Sequence, residues 1–191
     1  MSYDLQVRSK PAYGKGVPLE VMASLVVTLP GVTRMGSTAF VLDRRDAGLH
    51  FSIDVGHETK DDDEAWTESP EFVNSALFAV PYPFLDKAGP VALETALQLA
   101  EQLNWSVFDL QTDCEVSRDS LPAALRLQQV AGDTARQVLE RAVATDVTLG
   151  ELFTQEMVEP QALVRSSLLR PRHGCSWVAS ARSGATETAD Q

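Results

Sequence analysis

The chain of 191 residues contains few of the features that mark specialised protein classes. Its 2 cysteines, Cys114 and Cys175, lie far apart and form no CxxC pair, which excludes a disulfide scaffold and predicts two reduced thiols. The longest strongly apolar stretch, residues 21–29, is far shorter than the roughly 20 residues that cross a bilayer. Aromatic residues make up only 7% of the chain, yet 44% of its residues are hydrophobic, which is enough for a packed core.

Basic residues are scarce relative to acidic ones. The 16 Lys and Arg stand against 27 Asp and Glu, which gives a formal net charge of -11 and a pI near 4.6. Such a surface repels nucleic acids and anionic membranes, so neither is an expected partner. No apolar leader precedes residue 21, and Asp4 interrupts the N-terminus, so we expect a cytoplasmic protein.

Hydrophobic periodicity predicts alternating strands and helices over the first 110 residues. The predicted elements are strands at residues 3–8, 38–42, 49–55, 72–80 and 105–110 and helices at residues 19–29 and 91–103. We therefore predict an α+β fold in which two helices cover a mixed β-sheet and the C-terminal third is helical.

Residue composition and hydrophobic periodicity divide the chain into three parts. Residues 1–114 are predicted to form the α+β sheet domain, and residues 115–170 a helical C-terminal appendage packed on it. The appendage should hold one helix of about twenty residues that follows Ser120 as its N-cap, then two shorter helices between residues 148 and 169. Residues 171–191 are rich in small and polar residues and are expected to be largely irregular.

No catalytic or cofactor motif stands out in the sequence. The three histidines, His50, His57 and His173, have no partners at metal-ligand spacing, so we expect no metal and no cofactor. Asp54, His57 and Glu58 are residue types that carry out acid–base chemistry, but an exposed polar loop accounts for them more readily.

Two alternatives to a purely binding role stay open. An enzyme would hold its pocket at the strand ends near Asp54, His57, Tyr82 and Asp109. An adaptor or structural subunit would instead present an extended apolar surface on the helical third. The residues of that surface would be Leu121, Leu125, Leu127, Leu152 and Phe153.

The most distinctive surface feature is an acidic segment in the middle of the chain. From Asp54 to Glu71 there are eight acidic residues and a single lysine. One interpretation is a solubilising loop. The other is a docking surface for a basic partner, in which carboxylates speed the encounter and a tryptophan anchors the contact. The candidate contact residues are Asp61, Asp62, Asp63, Glu64, Trp66 and Glu68.

The C-terminal part of the chain is locally basic. Four arginines occur there with no acidic residue between positions 165 and 182: Arg165, Arg170, Arg172 and Arg182. This stretch offers two further interpretations, since it could pair with the acidic segment of its own chain or join two chains in a dimer.

A stretch of about forty residues resembles the cytoplasmic immunity proteins of bacterial polymorphic toxin systems. In that pattern a strand ends in a Pro-Tyr pair, here Pro81 and Tyr82 of NSALFAVPY, and an amphipathic helix follows, here residues 91–103. The next strand, WSVFDLQ, ends in Asp-x-Gln, here Asp109 and Gln111. We expect these four residues to be structural, with Pro and Tyr ending a strand and Asp and Gln binding loop backbone.

The resemblance implies a small, acidic, cytoplasmic protein that binds a toxin tightly and needs no catalytic residues. Toxins that act on nucleic acids or nucleotides often carry a basic cleft, which an acidic segment can plug. We therefore expect a non-enzymatic inhibitor that occludes a basic protein toxin. The sequence leaves the toxin's identity and the oligomeric state open.

Overall fold

The computed structural model describes residues 2–58 and 70–145. The strands in these two ranges are β1 Ser2–Arg8, β2 Val17–Pro18, β3 Val32–Arg34, β4 Ala39–Arg44, β5 Leu49–Gly56, β6 Phe72–Val73, β7 Ser75–Pro81, β8 Ser106–Asp109 and β9 Cys114–Val116. The helices are α1 Leu19–Val27, α2 Leu85–Leu103 and α3 Leu121–Thr145.

Seven of the strands form one sheet in the order β3-β4-β5-β7-β1-β8-β9, and β2 pairs with β6 separately. Every neighbouring pair in the large sheet is antiparallel. The two strands on either side of β1 therefore run parallel, so β7, α2 and β8 form the predicted strand-helix-strand unit with β1 inserted between its strands. The predicted α+β class is confirmed.

The two faces of the sheet differ because side chains alternate along each strand. On one face Tyr3, Leu5 and Val7 are fully buried and belong to the hydrophobic core that also includes α1 and α2. On the other face Gln6 lies opposite Leu77 of β7 on one side and opposite Phe108 of β8 on the other. The hydrophobic residues of this second face, Val41, Leu77, Ala79 and Phe108, are absent from the described core. We call this second side the open face.

Helix α2 begins at Leu85, six residues before the predicted start. The sequence Gly89-Pro90 suggested a helix boundary, because proline lacks an N–H and clashes with the preceding turn. Here Leu85 and Ala88 are at most 1% exposed in the core, so burial of the first turns outweighs the cost of an internal proline.

Helix α3 packs against α2 and extends over 25 residues, somewhat longer than predicted. A Cβ at Gly132 would lie 2.8 Å from Oδ1 of the exposed Asp86 side chain on α2, which shows how near the two helices come at this point. The predicted helices between residues 148 and 169 and the predicted tail at residues 171–191 lie outside the described residues.

Candidate functional site

The acidic segment lies outside the described residues, but the structure describes the residues that flank it. Its candidate contact residues, Asp61, Asp62, Asp63, Glu64, Trp66 and Glu68, fall within residues 59–69. Glu58 precedes this range, and Pro70 follows it. The described chain therefore shows how the two ends of the segment join the sheet.

Asn74 holds the first end of the segment. Its side-chain oxygen accepts a hydrogen bond from the backbone N–H of Glu58 at 2.7 Å, and its side-chain nitrogen donates to the Glu58 carbonyl at 2.8 Å. The same nitrogen donates to the Gly14 carbonyl at 3.0 Å. Asn74 is only 2% exposed. We call the pairing of Asn74 with the Glu58 backbone the amide clamp.

The backbone of Asn74 ties the amide clamp to the large sheet. Its N–H donates to the Gly56 carbonyl at 3.0 Å, and its carbonyl accepts from the N–H of Ser9 at 2.9 Å. Asn74 thus joins the end of β5, the end of β1 and the start of β7. The first end of the acidic segment is fixed to three strands at once.

The Glu58 side chain is paired on the open face. Its carboxylate accepts a hydrogen bond from the Gln6 amide and lies 3.5 Å from Nε of Arg8. Gln6 is 4% exposed and also donates to Oγ of Ser75 at 3.0 Å. The Arg8 guanidinium lies over the Phe108 ring, 5.1 Å from its centroid. Glu58 therefore has a cationic partner and serves as an anchor.

The second end of the segment is fixed by the small β2–β6 pair. The N–H of Leu19 donates to the Glu71 carbonyl at 3.1 Å, directly before β6 begins. Gly16 has a φ of +74°, and a Cβ there would lie 1.9 Å from the Val73 carbonyl oxygen, so only glycine fits. Lys15 lies over the Phe72 ring at 3.9 Å. The loop of Gly14, Lys15 and Gly16 thus packs against this end of the segment.

The structure separates the residues predicted to line an enzyme pocket at the strand ends. Asp54 lies opposite Leu77 on the open face, whereas Asp109 lies opposite Leu5 on the helix-covered face. His57 follows β5 beside the start of β7, and Tyr82 follows the other end of β7, about 20 Å away. These four side chains cannot line one pocket, so their predicted grouping is wrong.

Asp109 belongs instead to a buried hydrogen-bond network. The Tyr3 hydroxyl donates to Oδ2 of Asp109 at 2.6 Å, and the N–H of Gln111 donates to its Oδ1 at 2.9 Å. The Gln111 side-chain oxygen in turn accepts from the N–H of Asp4 at 3.1 Å. Asp109 accepts from loop backbone, as expected, whereas the backbone partner of Gln111 is Asp4 in strand β1 and not a loop residue.

Burial controls the ionisation of this network. It raises the pKa of Asp109, while the hydrogen bonds from Tyr3 and from the Gln111 backbone lower it part of the way. Burial also raises the pKa of Tyr3 and of Tyr82, and the negative charge of Asp109 adds to both shifts. A cavity of about 10 Å³ beside Asp109 is no larger than one water molecule needs. The network therefore stabilises the fold and has no room for a substrate.

Replacing Tyr3 with phenylalanine is expected to destabilise the protein more at about pH 7 than at about pH 4. The lost hydroxyl stabilises charged Asp109, and its removal leaves a buried carboxylate short of a donor, which costs about 2 kcal/mol. At about pH 4 Asp109 is protonated to a greater extent in the folded protein than in the unfolded chain, because burial raises its pKa, and a protonated carboxyl depends less on the lost donor. Urea unfolding at the two pH values measures the difference.

The raised pKa of Asp109 also determines how the folding stability of the wild-type protein changes with pH. The folded state binds the Asp109 proton more tightly than the unfolded chain, so this residue's contribution to stability falls as pH rises from the unfolded to the folded pKa. Tyr3→Phe removes a hydrogen bond that lowers the pKa of folded Asp109. The variant therefore raises this pKa further and enlarges the loss of stability as pH rises. Tyr13→Phe, at a position 48% exposed, is the control. An equal loss for Tyr3→Phe at both pH values would contradict the assignment.

The predicted apolar surface of an adaptor is largely covered. Leu127 of α3 is 7% exposed, and Leu121 and Leu125 are half-buried against the core. Leu152 and Phe153 lie outside the described residues. The described part of this set therefore holds α3 onto the sheet domain and does not form an extended exposed patch.

The described residues bring no metal or thiol centre together. Within residues 2–58 and 70–145, no three His, Cys, Asp or Glu side chains converge as metal ligands would. Cys114 is buried in β9, and its Sγ lies 3.5 Å from the Thr112 carbonyl, to which it donates. Cys175 lies outside the described ranges.

Sequence reasoning missed the amide clamp, although one signal was present. Asn74 interrupts an apolar strand pattern between Val73 and Ser75, and asparagine is depleted in strands unless its side chain has a specific backbone partner. The partner, Glu58, is 16 residues away across the acidic segment. Only the folded chain shows that Asn74 divides the predicted strand into β6 and β7 and holds the segment.

No protein family, curated protein or solved structure matched this chain. Among the helices of the described ranges, none combines the length and the apolar character that a bilayer span requires.

Proposed function

We propose that this is a cytoplasmic immunity protein that binds and occludes a cognate bacterial toxin of basic charge. The proposed contact residues are Asp61, Asp62, Asp63, Glu64, Trp66 and Glu68. One observation supports the proposal most strongly: the amide clamp fixes the first end of this acidic segment to the end of a seven-stranded sheet.

The two fixed ends of the acidic segment favour a binding role for it. The Glu58 backbone is held by the Asn74 side chain, and the Glu71 carbonyl accepts a hydrogen bond from the N–H of Leu19. Ordering a segment on a partner costs less free energy when both of its ends are already fixed.

The charge distribution favours a basic partner. The net charge of the chain is -11, and the acidic segment between the two fixed ends contains only one lysine, Lys60. Glu58 is paired with Arg8, so we assign the partner contacts to the carboxylates that follow it in the sequence. Opposite charge on a partner would accelerate association and would disfavour acidic competitors.

Affinity capture with the full tagged chain from lysate of the source organism tests this function. We expect one basic protein to be retained in stoichiometric amount at low salt and to be released earlier as the salt concentration rises. Reconstitution with that protein should then abolish its toxic activity. Capture of no protein, or of an acidic protein with salt-independent binding, would contradict the proposal.

A further inference from the structure

The open face of the sheet has an apolar centre that no helix of the described ranges covers. The core residues of α1 and α2 pack on the other face of the sheet, and α3 packs against α2. At the centre of the open face Val41, Leu77 and Ala79 are half-buried. Ser52 lies between Val41 and Ala79 in one row across three strands, so these side chains form one continuous surface.

Two carboxylates border this apolar centre. Asp54 lies opposite Leu77 and Asp4 lies opposite Ala79, which puts their Cα atoms about 12 Å apart across β7. Oδ1 of Asp4 is buried without a hydrogen-bond partner. Burial raises the pKa of Asp54. A half-buried carboxylate without a partner costs free energy, and a guanidinium that binds it removes much of this cost.

The remaining charge of the open face is negative and belongs to these two carboxylates. Neither of them forms an ion pair with a cation in the part of the chain that the structure describes. The other acids of this face have cationic partners: Glu58 with Arg8, Glu115 with Lys10 and Asp43 with Arg45. The open face therefore fits a segment that brings arginines together with apolar side chains.

The C-terminal part of the chain has this chemistry. Residues 163–182, which we call the basic segment, contain the four arginines named above and no acid. Large apolar residues lie among these arginines: Leu163, Val164, Leu168, Leu169, Trp177 and Val178. Residues 146–162 connect the end of α3 to the basic segment. A stretch of that length can span up to about 55 Å, which exceeds the roughly 40 Å width of a domain of this size.

The acidic segment matches the basic segment in charge alone. Trp66 is the one large apolar residue within residues 59–69. Burying the apolar side chains of the basic segment stabilises a contact by about 25 cal/mol per Å² removed from water, which requires an apolar surface. The open face offers such a surface beside its two carboxylates, so it fits the basic segment better than the acidic segment does.

We propose that the basic segment docks on the open face of its own chain, with arginines beside Asp4 and Asp54. Its apolar residues would pack against Val41, Leu77 and Ala79. This contact is independent of the proposed toxin-binding function, and its test needs no toxin.

A nitroxide label on Cys175 of the full chain tests the proposal by NMR. Cys175 belongs to the basic segment, whereas Cys114 is only 4% exposed in β9, and mass spectrometry verifies that each chain carries one label. We expect the amide signals of Ser52, Leu77 and Ala79 to lose most of their intensity relative to the same sample after chemical reduction of the nitroxide. The signals of α1, on the other side of the sheet, should lose much less.

Two double variants test the part that charge plays in docking. Asp4→Asn with Asp54→Asn should reduce the broadening on the open face about twofold or more at low salt, because two ion pairs are lost. Asp46→Asn with Asp119→Asn changes the net charge equally at exposed positions elsewhere and should leave the broadening unchanged. Equal effects of the two double variants would overturn the proposal.

A mixed sample distinguishes the chain's own segment from that of a second copy. It combines isotope-labelled chains whose thiols are blocked with unlabelled chains that carry the nitroxide, and we expect no broadening in it. Broadening of the open face in the mixture would mean that a second copy docks there, which would overturn the proposal. Broadening confined to residues 71–73 beside the acidic segment, or no broadening of any described residue in the singly labelled chain, would overturn it as well.

Discussion

Replacing Asn74 with alanine is expected to lower the free energy of unfolding by about 3 kcal/mol. The substitution removes three part-buried side-chain hydrogen bonds and leaves the Glu58 N–H, the Glu58 carbonyl and the Gly14 carbonyl without their partner. Each buried group left unpaired costs on the order of 1 kcal/mol or more. Urea unfolding followed by circular dichroism gives the loss directly.

The same variant tests whether the amide clamp positions the acidic segment. Under conditions in which Asn74→Ala remains folded, we expect weaker partner binding, because the segment must then be ordered from an unfixed end. Gln137→Ala removes an exposed amide on α3 and should change neither stability nor binding. Wild-type stability for Asn74→Ala would mean that the clamp contributes little to the fold.

Neutralising the five acids of the segment together is expected to reduce the association rate with the partner by about tenfold or more at low salt. The variant carries Asp61→Asn, Asp62→Asn, Asp63→Asn, Glu64→Gln and Glu68→Gln. Charges that attract a partner over distance act mainly on the association rate, and salt screens them. Surface plasmon resonance at several salt concentrations measures both the rate and its salt dependence.

A matched variant distinguishes the effect of the acidic segment on association from the effect of the protein's net charge. Five exposed acids elsewhere are changed to amides, which alters the net charge by the same amount: Asp43, Asp46, Asp113, Asp119 and Glu140. We expect this variant to associate at nearly the wild-type rate. Equal losses in the two variants would mean that net charge drives binding and that the segment has no special part.

The sequence predicts the long elements of this fold well and the short ones poorly. Alternation in β1 and the three-to-four spacing in α1 are strong signals, because one face of each element is buried in the core. Strands such as β3 and β9 have only 3 residues each, too few to show a period. Each pairs with the strand next to it along the chain, β3 with β4 and β9 with β8, but so short a strand carries no pattern that locates it.

The start of α2 and the grouping of the site residues could not be predicted from local patterns. Core contacts of Leu85 outweigh the breaking tendency of Pro90, which no local rule captures. The predicted pocket failed because side-chain direction depends on sheet register: Asp54 and Asp109 follow similar strand patterns but lie on opposite faces. By contrast, the structural roles of Asp109 and Gln111 followed from their residue types at a strand end.

We propose that the acidic segment, whose two ends are fixed to the folded chain, contacts a basic protein. Hydrogen–deuterium exchange of the full chain, with and without the captured partner, tests it most directly. We predict that partner binding slows exchange mainly in peptides covering residues 58–71, with little change in α3. Unchanged exchange in residues 58–71, with protection confined to other surfaces, would contradict the account.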